Sequence, residues 1–172
     1  HPPTFERESV YRMLSMYRMS EVGMCPRALC AKQLGYEVLP DSEEALLIME
    51  ESSIHEHLVI AKLGAGGLFV SDRQRAVELS SPLFTLQGHI DGIVHYNGTP
   101  HLLEIKALGK LRFAQFLRDG LSTFPQYAWQ VSGYANALQL PIMLAVKSRD
   151  NGQIHKTILT EPPMTTQSII DR

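Results

Sequence analysis

Residues 91–106 read DGIVHYNGTPHLLEIK, and this stretch decides the fold that we expect. Two apolar runs flank an Asn-Gly pair, whose residues both accept the positive φ of a type I′ turn, so the pattern predicts a β-hairpin. Each run carries a carboxylate, Asp91 or Glu104, that a buried strand would ordinarily avoid, and Lys106 follows two residues after the second. The position of these three charges therefore needs an explanation.

The register of the hairpin determines which side chains meet. A two-residue loop at 97–98 places Asp91 opposite Glu104. A four-residue loop at 97–100 instead places Asp91 opposite Lys106. Because side chains alternate between the two faces of a strand, either register puts all three charges on one face of the sheet, whereas a loop of odd length would not.

Two carboxylates that face each other across paired strands repel, and this repulsion destabilises a sheet. The arrangement becomes favourable when a cation lies between them, and hard oxygen ligands suit Mg²⁺ or Mn²⁺, which also accept phosphate oxygens. Lys106 could orient a water or neutralise charge on a phosphate. The alternative is a simple salt bridge from Lys106 to Glu104 or Asp91. Taken together, the three charges favour the metal site.

The composition is that of an ordinary globular protein. The 172 residues, 44% hydrophobic and 20% charged, suffice for a core, and we expect one domain over 1–172. Residues 1–19 would be an N-terminal extension and 161–172 a tail without a clear pattern. No apolar run approaches the roughly 18 residues of a membrane helix, and no signal-peptide pattern opens the chain. The small number of cysteines favours a cytoplasmic protein, or one in the host cytoplasm if viral.

The net charge of -2 does not indicate a nucleic-acid-binding protein, but the charges are unevenly distributed. Residues 41–56 hold six acidic residues and no Lys or Arg, whereas residues 106–118 hold four basic residues and no acid. Each run is also typical of a solvated surface, so charge alone decides nothing about function.

Helices are expected before and after the hairpin. The segment 20–36 is predicted to be helical, with a break or a second start at Pro26. A long helix is predicted from Asp41, a candidate for its capping box, to the glycines at 64–67. Pro125 marks the first turn of a third helix.

The remaining segments read as strands or short connections. The segment 109–122 is predicted to be a short helix or an ordered loop. The order helix, helix, strands, helix, strands predicts an α/β fold with a mixed β-sheet flanked by helices. Strand patterns cover residues 75–79, 84–96 and 101–106, and a second hairpin turns at 150–152.

The three charges resemble the signature of the PD-(D/E)xK nuclease superfamily. In that signature, an acid at the start of a strand is followed, after about a dozen residues, by acid-x-Lys. Here the acid is Asp91, and the acid-x-Lys is Glu104-Ile105-Lys106. The resemblance implies a restriction-endonuclease-like core within the α/β fold.

Three further segments resemble motifs of the RecB-like branch, in the expected order. Residues 52–63, SSIHEHLVIAKL, resemble the histidine motif on the helix before the core sheet, and residues 126–138, QYAWQVSGYANAL, resemble the Gln-x-x-x-Tyr helix after it. Residues 20–36, SEVGMCPRALCAKQLGY, are similar to the N-terminal segment of phage exonucleases and of related CRISPR-associated nucleases. The resemblance therefore runs from about Ser20 to Lys147.

The resemblance implies a metal site with a defined set of ligands. Asp91 and Glu104 would bind the metal, together with the backbone carbonyl of Ile105. A helix histidine would complete the metal shell, and His55 fits the motif better than His57. The CRISPR-associated relatives also carry four cysteines that hold an iron–sulfur cluster, whereas this chain has two, so no cluster is expected.

The resemblance also assigns supporting roles. Lys106 would help to position the attacking water. Gln130 and Tyr134, four residues apart, would share a helix face and reach a phosphate or a base near the metal. Their alternatives are a surface amide and a core tyrosine. Arg27 would bind a backbone phosphate, unless it is an ordinary surface charge.

These inferences predict a deoxyribonuclease that uses Mg²⁺ or Mn²⁺, an exonuclease acting in DNA recombination, repair or phage DNA processing. Its expected partner is DNA, single- or double-stranded, and not a membrane; a homo-oligomer or a recombination protein partner is left open. Residues 106–118 would guide the strand, with Phe113, Phe116 or Trp129 as stacking surfaces. The alternative function is a catalytically inactive DNA-binding or scaffold module of the same fold.

Overall fold

Strands and helices alternate along the chain. The computed structural model describes residues 16–36, 40–82 and 84–171, so most of the predicted N-terminal extension lies outside the described residues. The strands described are β1 (Met16–Arg18), β2 (Val70–Ser71), β3 (Ala76–Ser80), β4 (Thr85–His89), β5 (Gly92–Tyr96), β6 (Thr99–Leu108), β7 (Ile142–Ser148) and β8 (Ile154–Leu159). The α-helices described are α1 (Pro26–Gln33), α2 (Glu43–Ala65), α3 (Lys110–Asp119), α4 (Pro125–Leu138) and α5 (Thr166–Ile170), and short 3₁₀ helices occupy Met19–Glu21 and Gly120–Thr123.

The β5–β6 hairpin has the two-residue loop that the Asn-Gly pair predicts. Asn97 and Gly98 have φ values of 50° and 78°, as a type I′ turn requires. Tyr96 pairs with Thr99, and the ladder continues outward to the pair of Gly92 with Leu103. The next position outward sets Asp91 against Glu104, so the first of the two registers is confirmed.

The hairpin lies inside a five-stranded sheet with the order β2-β5-β6-β7-β8. β6 and β7 pair in parallel, while the other neighbours are antiparallel, so the sheet is mixed. The connection from β6 to β7 runs through α3 and α4. Because β6 and β7 are parallel, their carboxyl ends meet at one edge of the sheet.

Residues 84–96 form two strands in different sheets, which corrects the single strand segment expected there. β4 belongs to a three-stranded sheet with the order β1-β4-β3, whereas β5 belongs to the larger sheet. Between them, Ile90 is fully buried and exchanges backbone hydrogen bonds with Gln74 and Arg75. These bonds turn the chain from one sheet into the other just before Asp91.

Two helix starts show what the local sequence could predict. α1 begins at Pro26, so the second start is confirmed, and the residues before it form a 3₁₀ turn. The cap of α2 is Ser42 rather than Asp41. Ser42 has the extended backbone of a capping residue, and its Oγ accepts a hydrogen bond from the Ala45 N–H at 3.2 Å.

Helices cover both faces of the larger sheet. Val59 and Leu63 of α2 pack on one face, against Leu103 and Met143. On the other face, α3 and α4 pack against the residues of β6 and β7 that point the opposite way. The α/β fold with mixed sheets flanked by helices is therefore confirmed, and the tail after residue 161 adds α5, which no sequence pattern predicted.

The aromatic residues of α3 belong to the core. Phe113 and Phe116 are 4% and 3% exposed, so the suggestion that they stack on bases is wrong. Their helix turns its apolar side toward the sheet, and only its charged side faces outward. Trp129 of α4 is half-buried and packs against the same core. In the described parts of the chain, no helix is long and apolar enough to span a membrane.

Two glycine substitutions should have opposite effects on stability. Gly98→Ala places a Cβ at φ 78° and is expected to lower the free energy of unfolding by about 1–2 kcal/mol. Gly64→Ala adds a better helix former inside α2, where nothing lies within 4 Å of the new Cβ, and is expected to raise it by about 0.5–1 kcal/mol.

Urea unfolding of both variants beside the wild type measures these changes. Equal effects of the two substitutions would contradict the turn assigned to residues 97–98.

Candidate functional site

The charged residues of the hairpin meet where β5 and β6 separate. Asp91 comes directly before β5, so the N–H of Ile105 does not pair with a residue of β5. It donates instead to Oδ2 of Asp91 at 2.6 Å. In a strand, the N–H and C=O of one residue point to the same side, so the Ile105 carbonyl also faces this gap. The carboxylate of Asp91 and the carbonyl of Ile105 are thus both directed into the gap where β5 and β6 separate.

Lys106 is held beside this gap by three groups. Its Nζ lies 2.7 Å from Oε1 of Glu104, which is 3% exposed. It donates to Oε1 of Gln130 at 2.8 Å and lies 4.9 Å from the centre of the Tyr127 ring. The salt bridge that was the alternative for Lys106 is therefore present, but as one of three contacts on a half-buried ammonium group.

A stack of two aromatic rings, Tyr127 and Phe124, restrains the position of Lys106. The Tyr127 ring stacks on Phe124 with 5.5 Å between centroids and 12° between planes. Phe124 is fully buried, and the guanidinium of Arg112 covers it at 4.4 Å. Tyr127 cannot shift without disturbing Phe124, so its cation–π contact holds the ammonium group of Lys106 in one position.

The carboxylate pair is electrostatically strained. Burial, and then the charge of Glu104, raises the pKa of Asp91 to about 8, against the lowering effects of the Ile105 N–H and of Lys106. Burial opposes the charged form of Lys106, but the charge and hydrogen bond of Glu104 outweigh it, so the pKa of Lys106 is raised. A divalent cation between the carboxylates would relieve this strain, and the donors are the hard oxygens that Mg²⁺ and Mn²⁺ prefer.

Gln130 and Tyr134 connect this cluster to a neighbouring cleft. The Tyr134 hydroxyl hydrogen-bonds with the Gln130 side chain and with the backbone of His89, and burial and the charge of Glu104 raise its pKa. A Cβ on Gly88 would overlap that hydroxyl, so glycine is what lets α4 approach β4 this closely. Sequence spacing correctly placed Gln130 and Tyr134 on one helix face.

The cleft has a volume of about 830 Å³ and lies between α4, the three-stranded sheet and the first 3₁₀ helix. Its polar lining includes Arg18, Ser20, Glu78 and His89 beside Gln130 and Tyr134. Sequence reasoning missed Arg18 and His89, although His89 stands only two residues before Asp91. Arg27 is exposed in the first turn of α1 and does not line the cleft.

His55 lies on the other side of the larger sheet, on α2. Its Nδ1 is buried without a hydrogen-bond partner in the described chain. Burial lowers the pKa of His55, as do the charges of Lys147 and Arg149, while Glu51 opposes them. A neutral imidazole with an unsatisfied nitrogen is the form that binds metals.

His57 and Glu56, the neighbours of His55, differ from it. His57 is exposed and its ring is hydrogen-bonded to the Ser53 carbonyl, in agreement with the preference for His55. The α2 carboxylate whose charge acts on Asp91 is Glu56. Among the residues that the structure describes, no three His, Cys, Asp or Glu side chains are close enough to hold an ion. The structure thus brings together the two carboxylates and Lys106, without a third side-chain ligand.

No protein-family model and no curated protein matches this chain. Solved structures do match its fold. SSO0001 has a TM-score of 0.58 at 16% identity, over 94% of this chain and 80% of its own. An alkaline exonuclease, LHK-Exo from Laribacter hongkongensis, has a TM-score of 0.58 at 17% identity, over 90% of this chain and 82% of its own. LHK-Exo in complex with dAMP matches at 16% identity and a TM-score of 0.58, over 95% and 85%. At these identities the likeness shows the fold alone.

Asp91→Asn is expected to stabilise the protein at alkaline pH when no divalent cation is present. The ordinary pKa of an Asp is 3.8, and that of Asp91 in the folded chain is about 8, so the folded state holds this proton more tightly. The stability gained from that proton is complete below the ordinary pKa and is lost as the pH rises to about 8. Asn has no such loss, so the variant's advantage in melting temperature should grow with pH.

Thermal unfolding in EDTA across this pH range measures the effect. Asp150→Asn, which removes an exposed carboxylate from the β7–β8 turn, serves as the control. An advantage of Asp91→Asn that does not change with pH would contradict the electrostatic strain.

Proposed function

We propose that this protein is a nuclease that hydrolyses DNA phosphodiester bonds with Mg²⁺ or Mn²⁺, of the RecB-like branch of the PD-(D/E)xK superfamily. The observation that carries the proposal is the pair of half-buried Asp91 and buried Glu104, with the ammonium group of Lys106 fixed beside it. An alkaline exonuclease with a similar fold, also solved with dAMP, supports a DNA substrate and an exonuclease activity.

The metal-binding groups would be Asp91, Glu104 and the carbonyl of Ile105, whereas His55, which the resemblance adds as a further ligand, lies on the α2 side of the sheet with Lys147 and Arg149. When bound there, the ion supplies a water of lowered pKa and positive charge against the phosphoryl oxygens. The two carboxylates are already at the gap between β5 and β6, since the hairpin register sets them opposite each other. No change of strand pairing is needed to form the site.

Lys106 would orient the attacking water. Its ammonium group has three donors, and Glu104 and Gln130 accept two of them. The third can donate to the water and hold it in line with the scissile bond. The contact with Tyr127 fixes the direction of the side chain, so this donor does not have to be ordered during the reaction.

Gln130 and Tyr134 would connect the reacting phosphate to the rest of the strand. Gln130 bridges Lys106 and Tyr134, and both α4 residues line the cleft. The cleft volume of about 830 Å³ accommodates a few nucleotides rather than a whole duplex turn. Arg27, exposed on α1, would bind a more distant backbone phosphate.

The second candidate function is a non-catalytic DNA-binding or scaffold module. It is favoured by the direct ion pair between Lys106 and Glu104, which neutralises one carboxylate without a metal. A scaffold has no use for a bound divalent cation, so metal binding separates the two functions.

Titration calorimetry with Mn²⁺ should show binding to the wild type. Glu104→Gln should weaken this binding strongly because it removes one of two carboxylate ligands, whereas Lys106→Met should retain or improve it because it removes a competing cation. Glu161→Gln, an exposed carboxylate change after β8, is the matched control. Absence of Mn²⁺ binding by the wild type would favour the scaffold.

DNA cleavage with Mg²⁺ or Mn²⁺ should fall by about a hundredfold or more in Asp91→Ala and in Lys106→Ala, because each loses a group that acts on the reacting phosphate. Lys156→Ala, at an exposed position of β8, should remain close to the wild type. End-labelled linear DNA should be degraded and closed circular DNA spared, as an exonuclease requires.

Equal cleavage by the wild type and both site variants would contradict the catalytic roles of Asp91 and Lys106. Rapid cutting of circular DNA would retain the nuclease but reject the exonuclease.

A further inference from the structure

A second group of cationic side chains lies at the carboxyl end of β7. Lys147 pairs across the sheet with Ala107, one position beyond Lys106. Because strand side chains alternate, Lys147 points to the α2 face of the sheet, opposite to the face that carries Lys106. Arg149 follows β7, and its backbone N–H donates to the carbonyl of Leu108 at the end of β6 at 2.9 Å.

Among the described residues, neither of these two cations has a carboxylate partner. Lys147 is 7% exposed, and its Nζ donates to the carbonyl of Ser148 at 3.0 Å. The Nε of Arg149 is buried and has no hydrogen-bond partner in the described chain. The ion pairs found between described residues involve neither Lys147 nor Arg149.

His55 of α2 interacts electrostatically with both cations. The charges of both Lys147 and Arg149 act on its imidazole, and its Nδ1 is a second buried atom without a partner. The acid that opposes them, Glu51, is exposed. Lys147, Arg149 and the imidazole of His55 therefore interact on the α2 side of the sheet, and Arg149 and His55 each have a buried nitrogen without a hydrogen-bond partner in the described chain.

Such a cluster is costly unless an anion joins it. Burying a charge without a partner costs several kcal/mol, and one carbonyl accepts only one of the three hydrogens of an ammonium group. A phosphate offers several acceptor oxygens and a negative charge, which suit both a guanidinium and an ammonium group.

We propose that Lys147 and Arg149 form an anion subsite that holds a backbone phosphate of the DNA strand on the α2 side of the sheet. The identity of the anion rests on the proposed function. The position supports it, because the carboxyl ends of the parallel strands β6 and β7 form the edge at which ligands of open α/β sheets bind. A DNA strand that crosses this edge of the sheet would contact Lys106 on the α4 face and the anion subsite on the α2 face.

DNA binding in EDTA, where no cleavage is expected, tests the subsite. Fluorescence anisotropy with a labelled oligonucleotide is measured over a series of salt concentrations. Lys147→Met and Arg149→Gln should each weaken binding about tenfold and lower the salt-dependence slope by about one. Lys156→Met, an exposed lysine change on the neighbouring β8, serves as the control. It should change the salt-dependence slope by less than about 0.5, which is half the change expected for the loss of one phosphate contact.

The same variants are also unfolded by heat. Lys147→Met removes a buried cation without a carboxylate partner, so its melting temperature should be unchanged or higher. A lower melting temperature of Lys147→Met, together with wild-type DNA binding by Arg149→Gln, would identify both residues as structural and overturn the subsite.

Two sources of phosphate are distinguished by the oligonucleotide. The losses in the two variants should be the same whether or not the labelled strand carries a terminal phosphate. Losses that vanish without the terminal phosphate, or stabilisation of the wild type by inorganic phosphate without any effect of the variants on DNA binding, would overturn the assignment to a backbone phosphate.

Parallel cleavage assays separate this inference from the proposed function. Metal-dependent cleavage by the wild type, combined with unchanged binding by both variants, would reject the subsite and keep the nuclease. Loss of binding in both variants, combined with no cleavage by the wild type, would keep the subsite and reject the nuclease.

Discussion

The repulsion between Asp91 and Glu104 is the constraint around which the described structure is arranged. The Asn-Gly turn sets these carboxylates opposite each other, and the helices on both faces of the sheet remove most of the water that would screen them. A fold selected for stability alone would place apolar residues here, since like charges across a ladder weaken it. The raised pKa of Asp91 reflects the free-energy cost of ionising this carboxyl group beside the charge of Glu104. Under the proposed function, a divalent cation would relieve this repulsion.

The position of α4 follows from this constraint. Lys106 offsets part of the repulsion, and it needs Gln130 and Tyr127 to hold it beside Glu104. Both come from α4, and two glycines leave room for its close approach. A Cβ on Gly133 would overlap Met19, and one on Gly88 would overlap the Tyr134 hydroxyl. The packing of a helix against the smaller sheet and the electrostatics of the larger sheet are therefore parts of one arrangement.

Local rules explain which features could be predicted from the sequence. The turn type and the shared helix face of Gln130 and Tyr134 depend on residues close together in the chain, and the structure agrees with both. The sequence left two registers open, and the strand pairing selects the one with a two-residue loop. The break between β4 and β5 depends on pairing with distant strands, so the apolar pattern of residues 84–96 could not reveal it. Arg18 and His89 line the cleft because two sheets and α4 assemble around it, which no spacing rule describes. The burial of Phe113 and Phe116 was foreseeable from the helical period, but the basic residues that flank them, Arg112 and Arg118, suggested a DNA-binding face.

The two faces of the β6–β7 edge carry opposite charges, and under the proposed function this couples the metal to the DNA. Alternation along the strands directs the carboxylate pair to the α4 face and Lys147 to the α2 face. A polyanion is attracted by the second face and repelled by the first, until a divalent cation neutralises the carboxylates. Metal and DNA would then each strengthen the binding of the other, since coupling between two ligands is reciprocal. The protein would therefore bind a DNA strand more tightly with the divalent cation present than in its absence.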